Sequence, residues 1–338
     1  MPASSAVDVV RVAFDHASAQ LFKPFRLGQW TRLALVGFLS GEMTLGGCNI
    51  QNPMRYRGGT SPQAFLEQAR GLPFGAMGVL AIALLVVAAL ILGLIFIYIS
   101  SMMRFVLFDS VVAKECHIRR FWSARQDQGF RYFLFQILLS VVMLTGIFTL
   151  LVPAALVATR LGWLQNPREH LLPLILAGLL VVAVFMALVF LVSVVTVLTK
   201  DFVVPQMALE NLGVVDGWSR LAHMMHDDPW AYVGYLGLKI LLRIGAMVAM
   251  FIVALVVILV WIIPFGGVGL AGFLAARAIG LAWNVLTITV AVLFCLVAAC
   301  ALIYALALAS VPIAVFFPAY SIHFFADRYP PLREAQAR

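Results

Sequence analysis

Glu42 is the acidic residue whose sequence surroundings differ most from those of an ordinary surface carboxylate. It lies in an apolar stretch, residues 30–50, that is long enough to cross a bilayer. A charged side chain near the centre of such a helix costs about 2.5–3.5 kcal/mol, and one interpretation is that it serves as a proton or cation site or as the partner of a base. A second interpretation stays open, in which Gly41, Gly46 and Gly47 break the helix and let Glu42 reach water.

Lys239 and Arg243 form a second group of candidate residues. They lie four residues apart, which places both on one face of a helix. Two cations at the end of a membrane span suit the phosphate headgroup of an anionic lipid. The alternative is that both side chains only extend along the span to the polar rim of the membrane. The candidate intramembrane polar site is therefore Glu42, Lys239 and Arg243.

Two further motifs resemble known sites but are better explained as structural features. His223 and His226 can share a helical face near Asp227, and a polar surface turn before Pro229 accounts for them. The segment 267–272 matches a dinucleotide-binding pattern in its letters, yet no strand precedes it, so small residues for close helix approach are the better account. We expect no metal, no cofactor, no catalytic residue and no enzyme activity.

The composition indicates which solvent surrounds these residues. Of the 338 residues, 63% are apolar and 11% are charged, against about 45–50% and about 25% in soluble domains. A water-soluble chain of this composition would expose large apolar patches, so a bilayer is the simpler solvent. The net charge is +8, but the basic residues lie in short segments between apolar runs, and we expect no nucleic-acid partner. The four cysteines fit neither a zinc pattern nor a disulfide framework.

Uncharged runs predict an all-α, polytopic transmembrane bundle of about six spans. A span needs about 20 residues, and the runs place the spans near residues 30–50, 74–103, 132–158, 171–199, 232–263 and 284–317. Residues 30–320 would then form a single transmembrane domain, followed by a short tail at 321–338. We interpret the segment around Pro264 as a loop or as a dip back into the membrane, and a seventh span within 264–326 stays open.

An interfacial amphipathic helix is predicted in the N-terminal segment, residues 1–29. Its apolar face comprises Val7, Val10, Phe14, Ala17 and Leu21. The helix should end before Pro24.

The distribution of basic residues predicts the orientation. With six spans and a cytoplasmic N-terminus, 17 of the 23 Lys and Arg residues lie on the cytoplasmic side. Such a bias favours an even number of spans and two cytoplasmic termini in a multi-pass protein of the cell membrane.

An internal repeat with an offset of 97 residues links the second and fourth spans. Residues 104–107, Arg-Phe-Val-Leu, leave the second span as residues 201–204, Asp-Phe-Val-Val, leave the fourth. Residues 315–320 look like a third, truncated exit. The repeat predicts three helix hairpins, with surface helices near 106–126 and 203–226 on the cytoplasmic side.

Both ends of the apolar region resemble those of a known family. The opening stretch is Pro24-Phe25-Arg26-Leu27-Gly28-Gln29-Trp30-Thr31-Arg32-Leu33, and the closing stretch is Val311-Pro312-Ile313-Ala314-Val315-Phe316-Phe317, followed by Tyr320-Ser321. They resemble an uncharacterised family of prokaryotic multi-span membrane proteins, similar in plan to the membrane domain attached to some glycerophosphoryl diester phosphodiesterases. The resemblance implies an architecture and no functional residues.

Two classes of function are compatible with this sequence. The first is a transporter or lipid-handling protein, with the bilayer and an anionic lipid or a small molecule as its partners. The second is a non-catalytic membrane scaffold or assembly factor that binds unknown protein partners through its surface helices. A continuous polar face along the spans would favour transport, whereas these spans are almost free of charge.

Overall fold

The computed structural model describes residues 6–23, 25–42, 76–163, 170–280 and 285–337. Within these ranges every regular element is helical, which confirms the all-α prediction. The helices are α1 (Asp8–Phe22), α2 (Leu27–Leu39), α3 (Ala76–Val112), α4 (Ile118–Ala124), α5 (Gln126–Arg160), α6 (Leu171–Leu198), α7 (Val204–Glu210), α8 (Val214–Asp227), α9 (Pro229–Ala278), α10 (Val285–Ala326) and α11 (Pro330–Ala337). A π-helical turn, Thr199–Val203, joins α6 to α7.

Five helical segments in the described part of the chain are long and apolar enough to cross a membrane. They are Leu80–Val112, Gln126–Arg160, Leu171–Glu210, Pro229–Ala278 and Leu286–Ala326. Their most apolar stretches are almost entirely exposed, with at most 6% of any such stretch buried. Apolar side chains on all sides of a helix are typical of a hydrocarbon solvent, and the internal hydrogen bonds of a helix satisfy its backbone there.

The helix expected at residues 30–50 ends earlier than the sequence suggested. It is α2, and Gly41 terminates it with a φ of +76°. The N–H of Gly41 donates to the carbonyl of Phe38 at 3.2 Å, and the N–H of Glu42 donates to the carbonyl of Gly37 at 3.1 Å. These two bonds form a Schellman motif, which a glycine in the left-handed region completes. The structure thus has the break at Gly41, and residues 43–50 lie outside the described ranges.

The connection predicted around Pro264 is helical in the structure. Helix α9 continues through Pro264 to Ala278, and the turn follows at Gly280, whose φ is +71°. A proline is tolerated here because apolar surroundings offer the backbone no water to bond with, so the helix and its remaining hydrogen bonds are kept. Two other helices also extend past their predicted ends, since α3 reaches Val112 and α10 reaches Ala326.

Helix α1 buries one face within the protein, while the placement of its predicted apolar face on a membrane stays a prediction. Val7 and Phe14, which the sequence placed on the apolar face, are exposed. The buried side chains follow a spacing of four residues instead, at Val9, Ala13, Ala17 and Leu21.

The chain forms two compact units, and each is described separately. The first comprises residues 1–13, 104–233 and 318–338, and the second comprises residues 14–103 and 234–317. The core of the first unit is aromatic: the ring of Phe202 lies 5.3 Å from that of Tyr232 and 5.2 Å from that of Phe325. All three rings are buried. Edge-to-face and tilted contacts of this kind add about 0.5–1.5 kcal/mol per pair to the burial of the rings.

A glycine on α8 allows that helix to pack closely against the π-helical turn in the first unit. A Cβ atom at Gly217 would lie 2.7 Å from Cγ1 of Val203. One residue further, the indole Nε1 of Trp218 donates to the hydroxyl of Thr199 at 3.1 Å. Both contacts fix α8 to the turn that contains Asp201.

In the second unit, aromatic rings join α9 to α10. Trp261 stacks on Phe265 at 4.4 Å, and Phe265 lies 6.3 Å from Phe294 on α10. A Cβ atom at Gly269 would lie 3.3 Å from the ring of Phe294. Within the segment 267–272, close helix approach is therefore observed at Gly269.

Candidate functional site

Glu42 and Arg243 form an ion pair in the second unit, although 200 residues separate them. Nη1 of Arg243 lies 3.5 Å from Oε2 of Glu42, and the two side chains are 34% and 8% exposed. The guanidinium of Arg243 also lies 5.1 Å from the centre of the Phe317 ring. A basic partner for Glu42 was one of the alternatives predicted from the sequence, and in the structure that partner is Arg243. The Schellman turn at Gly41 brings Glu42 to this position.

Lys239 lies one turn before Arg243 on α9, as the sequence spacing indicated. Its Nζ is 3.5 Å from the hydroxyl of Tyr235 and 5.7 Å from the centre of that ring. A lysine over an aromatic face gains a cation–π contact. Of the three predicted site residues, the structure therefore pairs Glu42 with Arg243 and places Lys239 on the neighbouring turn. Their role as a binding site stays a prediction.

A buried ion pair that the sequence analysis did not single out lies in the first unit. Nη2 of Arg104 on α3 is 3.8 Å from Oδ1 of Asp201 in the π-helical turn, and the side chains are 8% and 2% exposed. Both residues were interpreted only as markers of span ends. A signal for their pairing was present, because they are oppositely charged and occupy equivalent positions of the 97-residue repeat.

Arg104 also lines a small cleft in the same unit. Lys200 contributes a second cation to the lining, and Ser321 and Pro318 contribute from α10. The remaining walls are apolar, formed by Leu107, Phe108, Val204, Pro205 and Ile322. The cleft therefore combines positive charge with apolar walls.

Arg125, between α4 and α5, joins three parts of the first unit. Its Nε donates to Oδ2 of Asp109 at 2.8 Å, and its Nη2 donates to Oδ1 at 3.0 Å. Its Nη1 donates to the backbone carbonyl of Ala208. This planar, two-point contact uses the fixed geometry of the guanidinium, which a lysine lacks.

Asn211 terminates α7 and links it to α5. Its φ is +56°, a left-handed conformation that asparagine tolerates better than most residues. Its side-chain oxygen accepts a hydrogen bond from Nε2 of Gln128 at 3.1 Å. The cap thus serves as a tertiary contact as well as a helix end.

Tyr329, just before α11, attaches the C-terminal segment to α7. Its hydroxyl donates to Oε1 of Glu210 at 2.6 Å, and Nη1 of Arg220 donates to Oε2 at 2.6 Å. Burial, together with the hydrogen bond to Glu210, raises the pKa of Tyr329. The hydrogen bond to the same carboxylate raises the pKa of Arg220. Tyr329 thus stays a hydrogen-bond donor and Arg220 stays charged at neutral pH.

We expect Tyr329→Phe to lower the free energy of unfolding by about 1.5–2 kcal/mol, because Glu210 loses a donor. Tyr304→Phe, at an exposed position, is the matched control and should have little effect. Because the folded protein raises the pKa of Tyr329, its stabilisation is present below the unfolded pKa of about 10 and is lost as the pH rises through the folded pKa. Thermal unfolding in detergent at pH 8 and pH 11 measures both effects. Equal losses for the two variants would contradict the assignment.

The histidine cluster near residue 226 has a local explanation. Nδ1 of His223 lies 2.7 Å from the carbonyl of Ser219, one turn back on α8. In the ranges that the structure covers, no three side chains of His, Cys, Asp or Glu come together as metal ligands would.

The fold defines an all-helical protein with several helices of membrane-spanning length and polar groups gathered near their ends. The chain belongs to a family of unknown function, DUF7544, whose profile matches residues 4–334. No curated protein and no solved structure matches it. This family is in keeping with the predicted resemblance to uncharacterised multi-span proteins. The similarity in plan to the phosphodiesterase membrane domain stays a prediction, since no match links the two.

Proposed function

We propose that the protein is an integral, multi-pass protein of the cell membrane that binds anionic lipid at the cytoplasmic ends of its spans. Five helices of suitable length and apolar surface support the membrane location. The bias of basic residues supports two cytoplasmic termini and an even number of spans. A sixth span stays a prediction, since α2 ends at Leu39 and residues 43–75 lie outside the described ranges. The proposal assigns binding and no catalytic step.

The observation that carries the lipid-binding proposal is the arrangement of Lys239 and Arg243. Glu42 and the ring of Phe317 hold the guanidinium of Arg243 in place, while a third of the side chain stays exposed. A guanidinium has five N–H donors, so it can contact Glu42 and a second anion together. Lys239 lies one turn away on the same helix. Together Lys239, Arg243 and Glu42 present two cations and one carboxylate, which gives a net positive surface at the base of an apolar helix.

Ion transport has less support than lipid binding. Residues 76–103 and 171–199 contain no Asp, Glu, Lys or Arg. A proton or cation path normally uses ionisable or polar groups at membrane depth. The charged groups that the structure brings together lie instead near the ends of the apolar stretches, where lipid headgroups are found.

A scaffold role is the second candidate function. The outer surface of helix α8 carries polar side chains and also the exposed apolar side chain of Val215. Such a surface suits a membrane interface or a protein partner. Surface residues that bind a partner would leave the lipid preference of the protein unchanged, so the experiment below separates the two functions.

We also infer that the chain arose by internal duplication. Arg104 and Asp201 hold equivalent positions of the repeat and pair with one another. The following aromatic residue makes an edge-to-face contact with a tyrosine in each copy. Phe105 meets Tyr132 at 6.0 Å and 80°, and Phe202 meets Tyr232 at 5.3 Å and 78°. The two phenylalanines are 97 residues apart and their tyrosine partners are 100 residues apart, so similar contacts at nearly equivalent positions support the repeat beyond its sequence pattern.

The double variant Lys239→Ala/Arg243→Ala tests the proposed function. We expect it to bind phosphatidylglycerol about tenfold or more weakly, because each basic residue near a membrane surface contributes about 1 kcal/mol. Native mass spectrometry of protein from mixed phosphatidylglycerol and phosphatidylcholine micelles measures the retained lipid. Arg119→Ala/Arg120→Ala, an exposed pair on α4, removes the same charge. Equal losses from both pairs, or no preference in the wild type, would contradict the proposal.

A further inference from the structure

The place where α1 ends and α2 begins exposes apolar side chains next to cations. Phe22 and Phe25 are each 57% exposed, and Leu27 is 60% exposed. Lys23 and Arg26 are exposed as well. We call these five residues the aromatic corner. Three large apolar side chains exposed so close together indicate a surface that something other than water covers.

Trp30 fixes the two phenylalanine rings of the aromatic corner. Its indole Nε1 donates to the carbonyl of Leu21 at 3.0 Å, which joins the first turn of α2 to the last turn of α1. The ring of Phe22 lies 5.7 Å from that of Trp30 at 70°, and the ring of Phe25 lies 5.5 Å away at 56°. Each ring therefore packs on protein at one side and stays open at the other, so its exposure follows from the fold.

The charge around the aromatic corner has a single sign. Between Asp15 and Glu42 the sequence contains Lys23, Arg26 and Arg32 and no carboxylate. Cations next to exposed apolar and aromatic side chains are typical of segments that lie at the surface of an anionic membrane. The charge of the corner is therefore complementary to an anionic leaflet.

The aromatic corner belongs to the unit that also contains apolar parts of α3, α9 and α10. These helices expose large apolar side chains of their own, such as that of Phe251 on α9. A bilayer that surrounds the helices can also cover the corner, because the headgroup region accommodates apolar rings and cations together. No separate protein partner is needed to explain the exposed rings.

We propose that the aromatic corner is an interfacial anchor in an anionic leaflet. Phe22 and Phe25 lie below the headgroups, while Lys23 and Arg26 stay at the level of the phosphates. This inference rests on the membrane location in the proposed function. It deepens that function by assigning a lipid contact that is separate from the basic pair on α9.

A spin label at position 27 measures the depth of the aromatic corner. Leu27→Cys, in a chain whose four native cysteines are replaced by alanine, keeps both rings and both cations. In nanodiscs of phosphatidylcholine and phosphatidylglycerol, the access of oxygen and of a water-soluble nickel chelate should place this label about 5–10 Å below the phosphates. Phe251→Cys, exposed on α9, is the control for a label in hydrocarbon. Glu334→Cys, exposed on α11, is the control for a label in water.

The contribution of the cations is measured in the same labelled protein. Lys23→Gln/Arg26→Gln should lower the ratio of inserted to water-exposed label by about tenfold or more, because both cations are attracted to the anionic surface. Arg119→Gln/Arg120→Gln, an exposed pair on α4, removes the same charge and should leave the label in place.

Three results would overturn the inference and leave the proposed function in place. Access of the nickel chelate to the Leu27→Cys label as free as to the Glu334→Cys label would place the corner in water. Protection of that label from both reagents would show that protein covers the corner. An unchanged label position in Lys23→Gln/Arg26→Gln would show that charge does not attach it.

Failure of the proposed function gives different results. Lipid binding by the basic pair on α9 is measured separately by native mass spectrometry, so its loss or retention does not depend on the label. A Phe251→Cys label open to the nickel chelate would overturn both proposals, because α9 would then lie in water.

Discussion

Arg125→Ala is expected to lower the free energy of unfolding by about 3 kcal/mol, because it leaves a largely buried carboxylate without its partner. Asp109 is 12% exposed and receives two hydrogen bonds from Arg125. The carbonyl of Ala208 loses a donor in the same substitution. Since these contacts join α3 to α7, the first unit loses a link between elements far apart in sequence. Thermal and SDS-induced unfolding in detergent measure the loss.

Two further substitutions make the Arg125 prediction specific. Arg125→Lys keeps the charge but cannot donate to both oxygens of Asp109 in one plane, so it should recover only part of the stability. Arg119→Ala removes an exposed arginine from α4 and should change the unfolding free energy by less than about 0.5 kcal/mol. A loss for Arg125→Ala no larger than that for Arg119→Ala would show that the contacts contribute little.

Gly217→Ala should destabilise the first unit by about 2 kcal/mol, although alanine is the better helix former. The new Cβ would lie 2.7 Å from Cγ1 of Val203, closer than real Cβ atoms approach. Val203 is branched at Cβ and fully buried, so it cannot rotate away without displacing the π-helical turn. Gly237→Ala, where no atom lies within 4 Å, should instead be neutral or stabilising by up to about 1 kcal/mol.

A double-mutant cycle identifies the contact responsible for the effect of Gly217→Ala. In a Val203→Ala background the new methyl group has room, so the same substitution should be much less destabilising. Unfolding midpoints of the four proteins give the coupling free energy between the two positions. A coupling near zero would place the cause of any destabilisation elsewhere than the π-helical turn.

The class of fold could be predicted because composition alone restricts it. A composition of 63% apolar residues favours a hydrocarbon solvent, and helices satisfy their own backbone in such a solvent. The helix ends were harder to predict, because a charge was taken as the end of a span. Arg104 is instead buried against Asp201, so α3 continues to Val112. Pro264 was likewise interpreted as an interruption, but the helix continues through it to Ala278.

The candidate site could be predicted only in part, because its contacts are distant in sequence. Glu42 and Arg243 were each recognisable as charges in apolar surroundings, but their pairing depends on how separate helices pack. Arg104 and Asp201 had a usable signal in the repeat, where opposite charges occupy equivalent positions. The π-helical turn had none, since one extra residue in a helical turn leaves no periodic mark in so uniformly apolar a sequence.

The uninterrupted course of α9 through Pro264 has a consequence for the choice of membrane. Beyond Arg243, which the proposed function places at the headgroups, the 33 uncharged residues 244–276 extend about 50 Å at 1.5 Å per residue. The hydrocarbon core of a bilayer is about 30 Å thick. Even a tilt of 40° accommodates only about 40 Å of straight helix in that core. For the membrane location proposed above, hydrophobic mismatch of this size favours thicker bilayers and local thickening around α9. Lipid chain length should then influence where in a heterogeneous membrane the protein accumulates.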